Sequence, residues 1–294
     1  MTATLKGTGV ALITPFTQDN QVDYTALRKI VSNCIDKGVD YLVVLGTTAE
    51  TPTLTPIEKE NVITTIVSEN NQRLPLVLGI GSNNTQTVIE ELQTRDLTPF
   101  VAILSVVPMY NKPSQEGIFQ HYTAVAQASE KPILLYNVPS RTGVNMNSET
   151  TLKLAKHPNI IGIKEATNDF SQMLRILKDR PADFLVISGD DELALPLVSA
   201  GGDGVISVIA QGFPKDFSKA IQLGLAQDTL KGFDILYRLI ESIDYAFAEG
   251  NPVGIKAILA QQGLCNASVR IPLIEATEEL KVKIATFFAT YKAL

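Results

Sequence analysis

The chain has 294 residues, 45% of them hydrophobic and 19% charged, which suits one large domain with a substantial core and excludes a disordered chain. A net charge of −6 argues against a nucleic-acid surface, which needs clustered Lys and Arg facing phosphates. It leaves room for a small anionic substrate, because a few local cations outweigh a global charge.

Cys34 and Cys265, like His121 and His157, fit no metal-ligand or redox spacing, so packed thiols and no metal are expected. The segment Met1 to Lys6 has no basic-then-apolar leader pattern, and no apolar run approaches the ~20 residues that cross a bilayer. A cytoplasmic protein that binds neither membrane nor nucleic acid is the expectation.

In chain order, eight apolar runs recur: Gly9 to Ile13, Tyr41 to Leu45, Leu74 to Leu78, Phe100 to Leu104, Pro132 to Tyr136, Ile160 to Ile163, Phe184 to Ile187 and Gly204 to Val208. They are continuous rather than alternating, as parallel strands covered on both sides are. Helical patterns separate them. Tyr24 to Lys37 places Leu27, Ile30, Val31 and Cys34 on one face, with Asp23 before it and Gly38 after it as caps. Thr55-Pro-Ile-Glu58 is a capping box with Pro at the first helical position, Ser148 opens a further helix, and Asn168 or Asp169 another.

This alternation predicts an α/β fold, a (β/α)8 TIM barrel over residues 1–211, with a doubly wound open sheet as the alternative. Residues 212–294 read as helices, more than the last βα unit needs, and are expected to pack on the barrel as a C-terminal appendage.

A barrel of this kind carries its chemistry at the carboxyl ends of its strands. Lys164 follows Ile160-Ile-Gly-Ile163 there, at the inner end of a buried strand. Lysines are almost never fully buried unless paired. An ion pair with Glu165 or Asp190, or a chain snorkelling out of the mouth, is the bland account. The functional account is an amine in an apolar pocket, where desolvation disfavours the charged form and leaves a nucleophile for a carbonyl.

Tyr136 ends its strand, and Asn137-Val-Pro139 turns the chain so that Arg141 returns over the same mouth. A phenol can pass a proton, and an arginine fork suits a carboxylate. A core Tyr and a surface Arg are the ordinary alternatives. Gly46-Thr47-Thr48 after a strand is a small-residue cradle for an anion, or an unremarkable turn.

Rival motifs fail. Gly79-Ile-Gly81 lacks the third glycine of a dinucleotide fingerprint, no phosphate-binding loop occurs, and neither His follows a strand to complete a serine triad. Asp190-Asp191-Glu192 reads as capping rather than as a metal site. From the residues alone, the chemistry is that of a Schiff-base lyase or aldolase acting on a keto acid, with no cofactor.

The same residues carry a family resemblance. Gly46-Thr-Thr-Ala-Glu-Thr51 resembles the Gly-Thr-Thr-Gly-Glu-Ser segment of the dihydrodipicolinate synthase and N-acetylneuraminate lyase family. Tyr136-Asn-Val-Pro-Ser-Arg-Thr-Gly143, Ile160-Ile-Gly-Ile-Lys-Glu-Ala166, Ser188-Gly-Asp-Asp191 and Gly204-Val-Ile-Ser-Val208 are similar to that family's synthase signatures, in order and from about residue 7 to 275.

The resemblance implies that Lys164 forms an imine with pyruvate. It implies a proton relay of Thr47, Tyr136 and Tyr110, the last reaching in from a neighbouring subunit. Thr48 would hold the pyruvate carboxylate and Arg141 that of L-aspartate 4-semialdehyde, with backbone carbonyls of Gly189 and Ile206 nearby. It implies condensation to 4-hydroxy-tetrahydrodipicolinate, on the route to diaminopimelate and lysine, by a homotetramer built as a dimer of dimers. Arg141 separates this reading from an aldolase for a sugar-derived keto acid, whose relatives generally lack that arginine. A keto-acid-binding barrel without catalysis would need no relay.

Ala49 and Thr51 depart from the pattern, as do Met109 and Gly254 in Asn251-Pro-Val-Gly-Ile-Lys256. Ala49 would matter if its position needs a positive φ, where Gly is favoured.

The resemblance also bears on feedback by lysine. In lysine-inhibited relatives a His, a Glu and a Tyr contact the effector at the dimer interface. The corresponding positions here are Lys59, Thr87 and Met109, and Asn83 alone of the usual contacts is kept. Lys59 would set a second cation about 5 Å from the effector's ammonium, a repulsion of about 3 kcal/mol at an effective dielectric of 20. Weak or absent inhibition by L-lysine at low pyruvate is therefore expected. Half-inhibition below about 1 mM, a binding free energy near −4 kcal/mol, would contradict it.

Overall fold

Each apolar run is a strand in the computed structural model, which describes residues 5–293; of the segment read for a leader, Met1 to Thr4 lies outside them. The strands are β1 (Gly7–Ala11), β2 (Tyr41–Val44), β3 (Leu76–Gly79), β4 (Ala102–Val106), β5 (Ile133–Asn137), β6 (Ile160–Glu165), β7 (Leu185–Ser188) and β8 (Gly204–Ser207). Every neighbouring pair is parallel, and β8 returns to β1 through Gly7↔Gly204 to Val10↔Ser207, so the sheet closes into a (β/α)8 barrel rather than an open sheet. β4 and β6 run past the end of their apolar runs, because ladder hydrogen bonds and not hydrophobicity decide where a strand stops. Lys164 therefore lies within β6, not after it.

Alternation along the strands builds two cores. Tyr41, Val43, Val77, Leu104, Leu134 and Ile187 fill the barrel. Leu42, Val44, Leu78, Ile103, Leu135 and Val186 face the helices outside it. The helix starts follow the cap chemistry. Asp23 accepts from the Ala26 N–H at 2.9 Å, both halves of the Thr55–Glu58 capping box form, and Asp169 caps the helix Phe170–Asp179.

β6 holds one irregularity. Ile133 pairs with Ile160, but the next residue, Leu134, pairs with Gly162, so β6 carries one extra residue. A bulge of one residue reverses which face all later side chains take. Ile160 belongs to the outer core, yet Lys164, four residues on, pairs with inward-facing Tyr136. Gly162 permits the close approach: a Cβ there would stand 2.6 Å from the Leu185 carbonyl oxygen.

Beyond β8 the described residues form five helices of six or more residues, Pro214–Leu225, Thr229–Leu236, Ile240–Phe247, Val253–Gln261 and Glu278–Thr290. The first packs on β1 and β8. The last is held by an aromatic cluster of Phe213, Phe287, Phe288 and Tyr291, and the Tyr291 hydroxyl donates to the Asp216 carboxylate.

A buried ion pair ties this C-terminal region to the loop after β2. Lys256 Nζ meets Glu50 Oε1 at 2.5 Å with both side chains essentially inaccessible. Lys256 also donates to the Ser268 carbonyl at 2.9 Å, and Glu50 Oε2 accepts from the Arg270 backbone N–H at 3.0 Å. The Phe16 ring lies 4.0 Å from Lys256 Nζ and 4.4 Å from Arg270 Cζ. Burial pulls the lysine's pKa down, while the Glu50 charge opposes that shift.

Breaking such a pair from one side strands a charge in the interior, which costs about 3–5 kcal/mol. Lys256→Met is expected to lower the unfolding free energy by that amount, and Glu50→Gln in the same chain to restore part of it. Urea unfolding of the single and double variants measures both. A loss under about 1 kcal/mol for Lys256→Met would show that the pair is not what anchors the loop.

Candidate active site

Two abutting cavities open at the carboxyl end of the barrel, of about 520 Å³ and 440 Å³, sharing Tyr136, Val138, Arg141 and Asn251. The smaller holds Lys164, Thr48 and Gly189, so the chemistry is assigned to it. The larger takes Thr47, Lys59 and Met109, and runs outward from it.

Lys164 is 5% exposed. Its Nζ sits 4.2 Å from the centroid of the Tyr136 ring, the cross-strand neighbour that β5–β6 register dictates. Among the described residues it forms no ion pair, with neither Glu165 nor Asp190. Glu165 points to the other side of β6, where its carboxylate accepts from Asn137 Nδ2 at 2.9 Å, Gln172 Nε2 at 3.0 Å and the Thr167 N–H at 3.0 Å. Asp190 is turned onto its own backbone and accepts from the Glu192 and Leu193 N–H groups, both at 2.9 Å. Asp191 accepts from the N–H groups of Val208 and Ile209 at 3.2 and 3.0 Å. The expected capping of the next helix is not what they do: Ala194–Ser199 starts after Leu193 without a side-chain cap, Asp190 closes the turn ahead of it, and Asp191 reaches across to the turn after β8.

Gly189 gives the lysine its room. A Cβ there would lie 3.0 Å from Lys164 Cε and 2.6 Å from the Ala166 Cβ. The turn after β2 is a 3-10 helix, Thr47–Ala49, with Thr48 buried. The positive φ considered for Ala49 falls instead on Glu50, at 52°, and Leu45, at 54°. Ala49 is 2% exposed in an ordinary conformation, so its methyl strains nothing. Arg141 sits on the short helix Pro139–Thr142, exposed, with Nη2 donating to the Asn251 carbonyl at 3.1 Å.

Two of the expected residues line neither cavity in the single chain. Tyr110 is 86% exposed, at φ 72°, and projects from the surface. Ile206 packs its side chain inside the barrel and is in neither cavity wall. Of the positions compared for lysine, Lys59 and Met109 share the larger cavity, whereas Thr87 is exposed. Of the two glutamates in that wall, Glu50 is held by Lys256, and Glu91, one helical turn beyond Thr87, is paired with Arg95 at 3.0 Å.

Asn251 is a site residue with no sequence signal of its own. It follows a helix rather than a strand, yet its Nδ2 donates to Thr48 Oγ1 at 2.9 Å.

The dihydrodipicolinate synthetase family model matches residues 4–290. The chain belongs to that family.

It is 55% identical to the 4-hydroxy-tetrahydrodipicolinate synthase of Flavobacterium psychrophilum, over 96% of each chain. Among solved structures of the family, it is similar to the chloride-inhibited dihydrodipicolinate synthase of Acinetobacter baumannii complexed with pyruvate. The TM-score is 0.94 at 37% identity, over 97% of this chain and 98% of that one. It is also similar to the enzyme of Cyanidioschyzon merolae with lysine bound, with a TM-score of 0.92 at 34% identity, over 97% of this chain and 98% of that one.

Behind the lysine, Glu165 titrates unusually. Burial raises its pKa from 4.5 to about 7, against the opposing bonds from Gln172 and Asn137. A carboxyl whose folded pKa is raised adds stability below its unfolded pKa and loses it as pH climbs through the folded value. The window is pH 4.5 to 7, and the full loss is about 3 kcal/mol. Glu165→Gln cannot titrate, so the wild type is expected to lose unfolding temperature relative to it between pH 5 and 8. A difference that stays flat with pH would mean that Glu165 ionises as an ordinary carboxyl.

Proposed function

We propose that this chain is a 4-hydroxy-tetrahydrodipicolinate synthase that condenses pyruvate with L-aspartate 4-semialdehyde through a Schiff base on Lys164. The observation that carries this reading is a buried amine with no carboxylate partner among the described residues, against a tyrosine ring and sharing one cavity with an arginine. Membership of the family, and the pyruvate complex of the Acinetobacter baumannii relative, supply the substrate class.

The Lys164 amine adds to the keto carbon of pyruvate and water leaves, giving an imine. The imine nitrogen draws electrons from the neighbouring methyl group, which loses a proton to become an enamine. That carbon attacks the aldehyde of the second substrate, whose oxygen takes up a proton. The substrate's own amine then adds to the imine carbon, closing the ring and releasing Lys164. Water is the only by-product.

Tyr136 is suited to carry the protons, with Thr47 and, from a neighbouring copy, Tyr110 completing the relay. Tyr110, 86% exposed on its own chain, is accessible to a neighbouring copy, which is compatible with a dimer as the working unit and a homotetramer of two such dimers. Thr48 takes the pyruvate carboxylate, with the Gly189 and Ile206 backbone carbonyls close to the imine. Arg141 takes the carboxylate of aspartate semialdehyde by its planar fork. Among the described residues no helix is long and apolar enough to cross a membrane. A cytoplasmic biosynthetic role agrees with that.

Borohydride with pyruvate is expected to add one reduced pyruvyl group per chain, on Lys164, and a coupled assay with both substrates to show turnover. A label on another lysine would overturn the mechanism. Arg141→Ala should leave trapping intact while lowering specificity for aspartate semialdehyde about 30- to 1000-fold, since a charge-assisted bidentate contact is worth about 2–4 kcal/mol. A change below threefold would remove Arg141 from the site.

A further inference from the structure

Two side chains proposed to hold the two substrate carboxylates, Thr48 and Arg141, stand on different elements of the barrel mouth. Thr48 belongs to the 3-10 turn after β2, and Arg141 to the short helix after β5. Both bond to the same residue, Asn251, which comes from the C-terminal helical region. Its Nδ2 donates to Thr48 Oγ1 at 2.9 Å, and its backbone carbonyl accepts from Arg141 Nη2 at 3.1 Å. Asn251 is also in the walls of both cavities.

Each bond restricts what its partner can do. A hydroxyl has one hydrogen to donate and lone pairs to accept with. With a lone pair engaged by the Asn251 amide, the Thr48 hydrogen is left to point elsewhere, and Thr48 faces the cavity that holds Lys164. The Arg141 side chain is exposed and would otherwise sample many rotamers. One N–H held by a main-chain carbonyl orients the plane of the guanidinium and leaves its remaining donors for a carboxylate.

We infer that Asn251 is the positioning residue for both substrate carboxylates: its side-chain amide sets the Thr48 hydroxyl as a donor to pyruvate, and its backbone carbonyl aims Arg141 at aspartate semialdehyde. This rests on the function proposed above. The two roles use different atoms of one residue, so they separate on mutation. Asn251→Ala deletes the amide that meets Thr48 and keeps the carbonyl that meets Arg141.

The test measures half-saturation of borohydride trapping by pyruvate and steady-state constants for both substrates, in wild type, Asn251→Ala, Asn251→Asp, Thr48→Val and Thr48→Val with Asn251→Ala. Asn251→Ala is expected to raise the pyruvate half-saturation and KM roughly tenfold, the scale of one hydrogen bond to a charged group. KM for aspartate semialdehyde should move less than threefold. On the Thr48→Val background the same change should add less than twofold, because the two residues act as a unit.

Asn251→Asp is nearly isosteric, and serves if the alanine variant does not fold. Its ionised carboxylate would accept the Thr48 hydrogen and turn it away from the substrate. Its pyruvate KM should therefore lie above that of the wild type throughout pH 5 to 8, where an ordinary aspartate is ionised. Equal effects on both substrates, or full additivity with Thr48→Val, would overturn the inference. A wild type that neither traps pyruvate nor consumes aspartate semialdehyde would overturn the proposed function instead.

Discussion

The extra residue in β6 decides the character of this site. Side chains alternate along a strand, so without the bulge the parity set by outward-facing Ile160 would carry Lys164 outward too. It would then lie among the outer helices, and Glu165 would enter the barrel. With the bulge, the order is reversed. The amine enters the mouth beside Tyr136, and the carboxylate next to it in sequence is sent into a polar nest of Asn137, Gln172 and Thr167 on the opposite side. A lysine with a glutamate as its immediate neighbour is thereby kept from forming an ion pair with it.

The same separation lets each group have its own environment. Register puts Tyr136 against Lys164 and Asn137 against Glu165, so two adjacent residues of β5 serve two adjacent residues of β6 on opposite faces. Inside, the surroundings are an aromatic face and a glycine that leaves room for the lysine chain. Outside, the acid is desolvated but well supplied with donors, and its pKa moves toward neutrality. Both faces depend on the β5–β6 pairing, which joins residues far apart in sequence.

The C-terminal helices are part of the mouth and not only a cover for the barrel. Lys256 enters the interior to neutralise Glu50, the residue that takes a left-handed backbone conformation at the end of the Thr47–Ala49 turn. Such a conformation is costly for a side chain with a Cβ and persists where surrounding contacts hold it. Five residues before Lys256, Asn251 touches Thr48 and Arg141. One short stretch therefore fixes the loop after β2 by charge and its threonine by hydrogen bonding.

Much of this was legible without coordinates. Eight continuous apolar runs, the Asp23 cap, a helix start at Asn168 or Asp169 and the Thr55–Glu58 capping box are local patterns, and local patterns are what short-range sterics and hydrogen bonding read. Placing Lys164, Tyr136, Thr48 and Arg141 at strand ends followed from the barrel alone, because that fold gathers all its carboxyl ends on one face. What tertiary structure decided were the long-range facts: the face that Lys164 takes, which one inserted residue reverses without leaving a mark in composition, and the arrival of Asn251 at Thr48 from 203 residues away. Neither parity across a bulge nor contact across such a separation is encoded in periodicity. Both come into being only when the closed barrel and the helices packed on it bring distant segments into register.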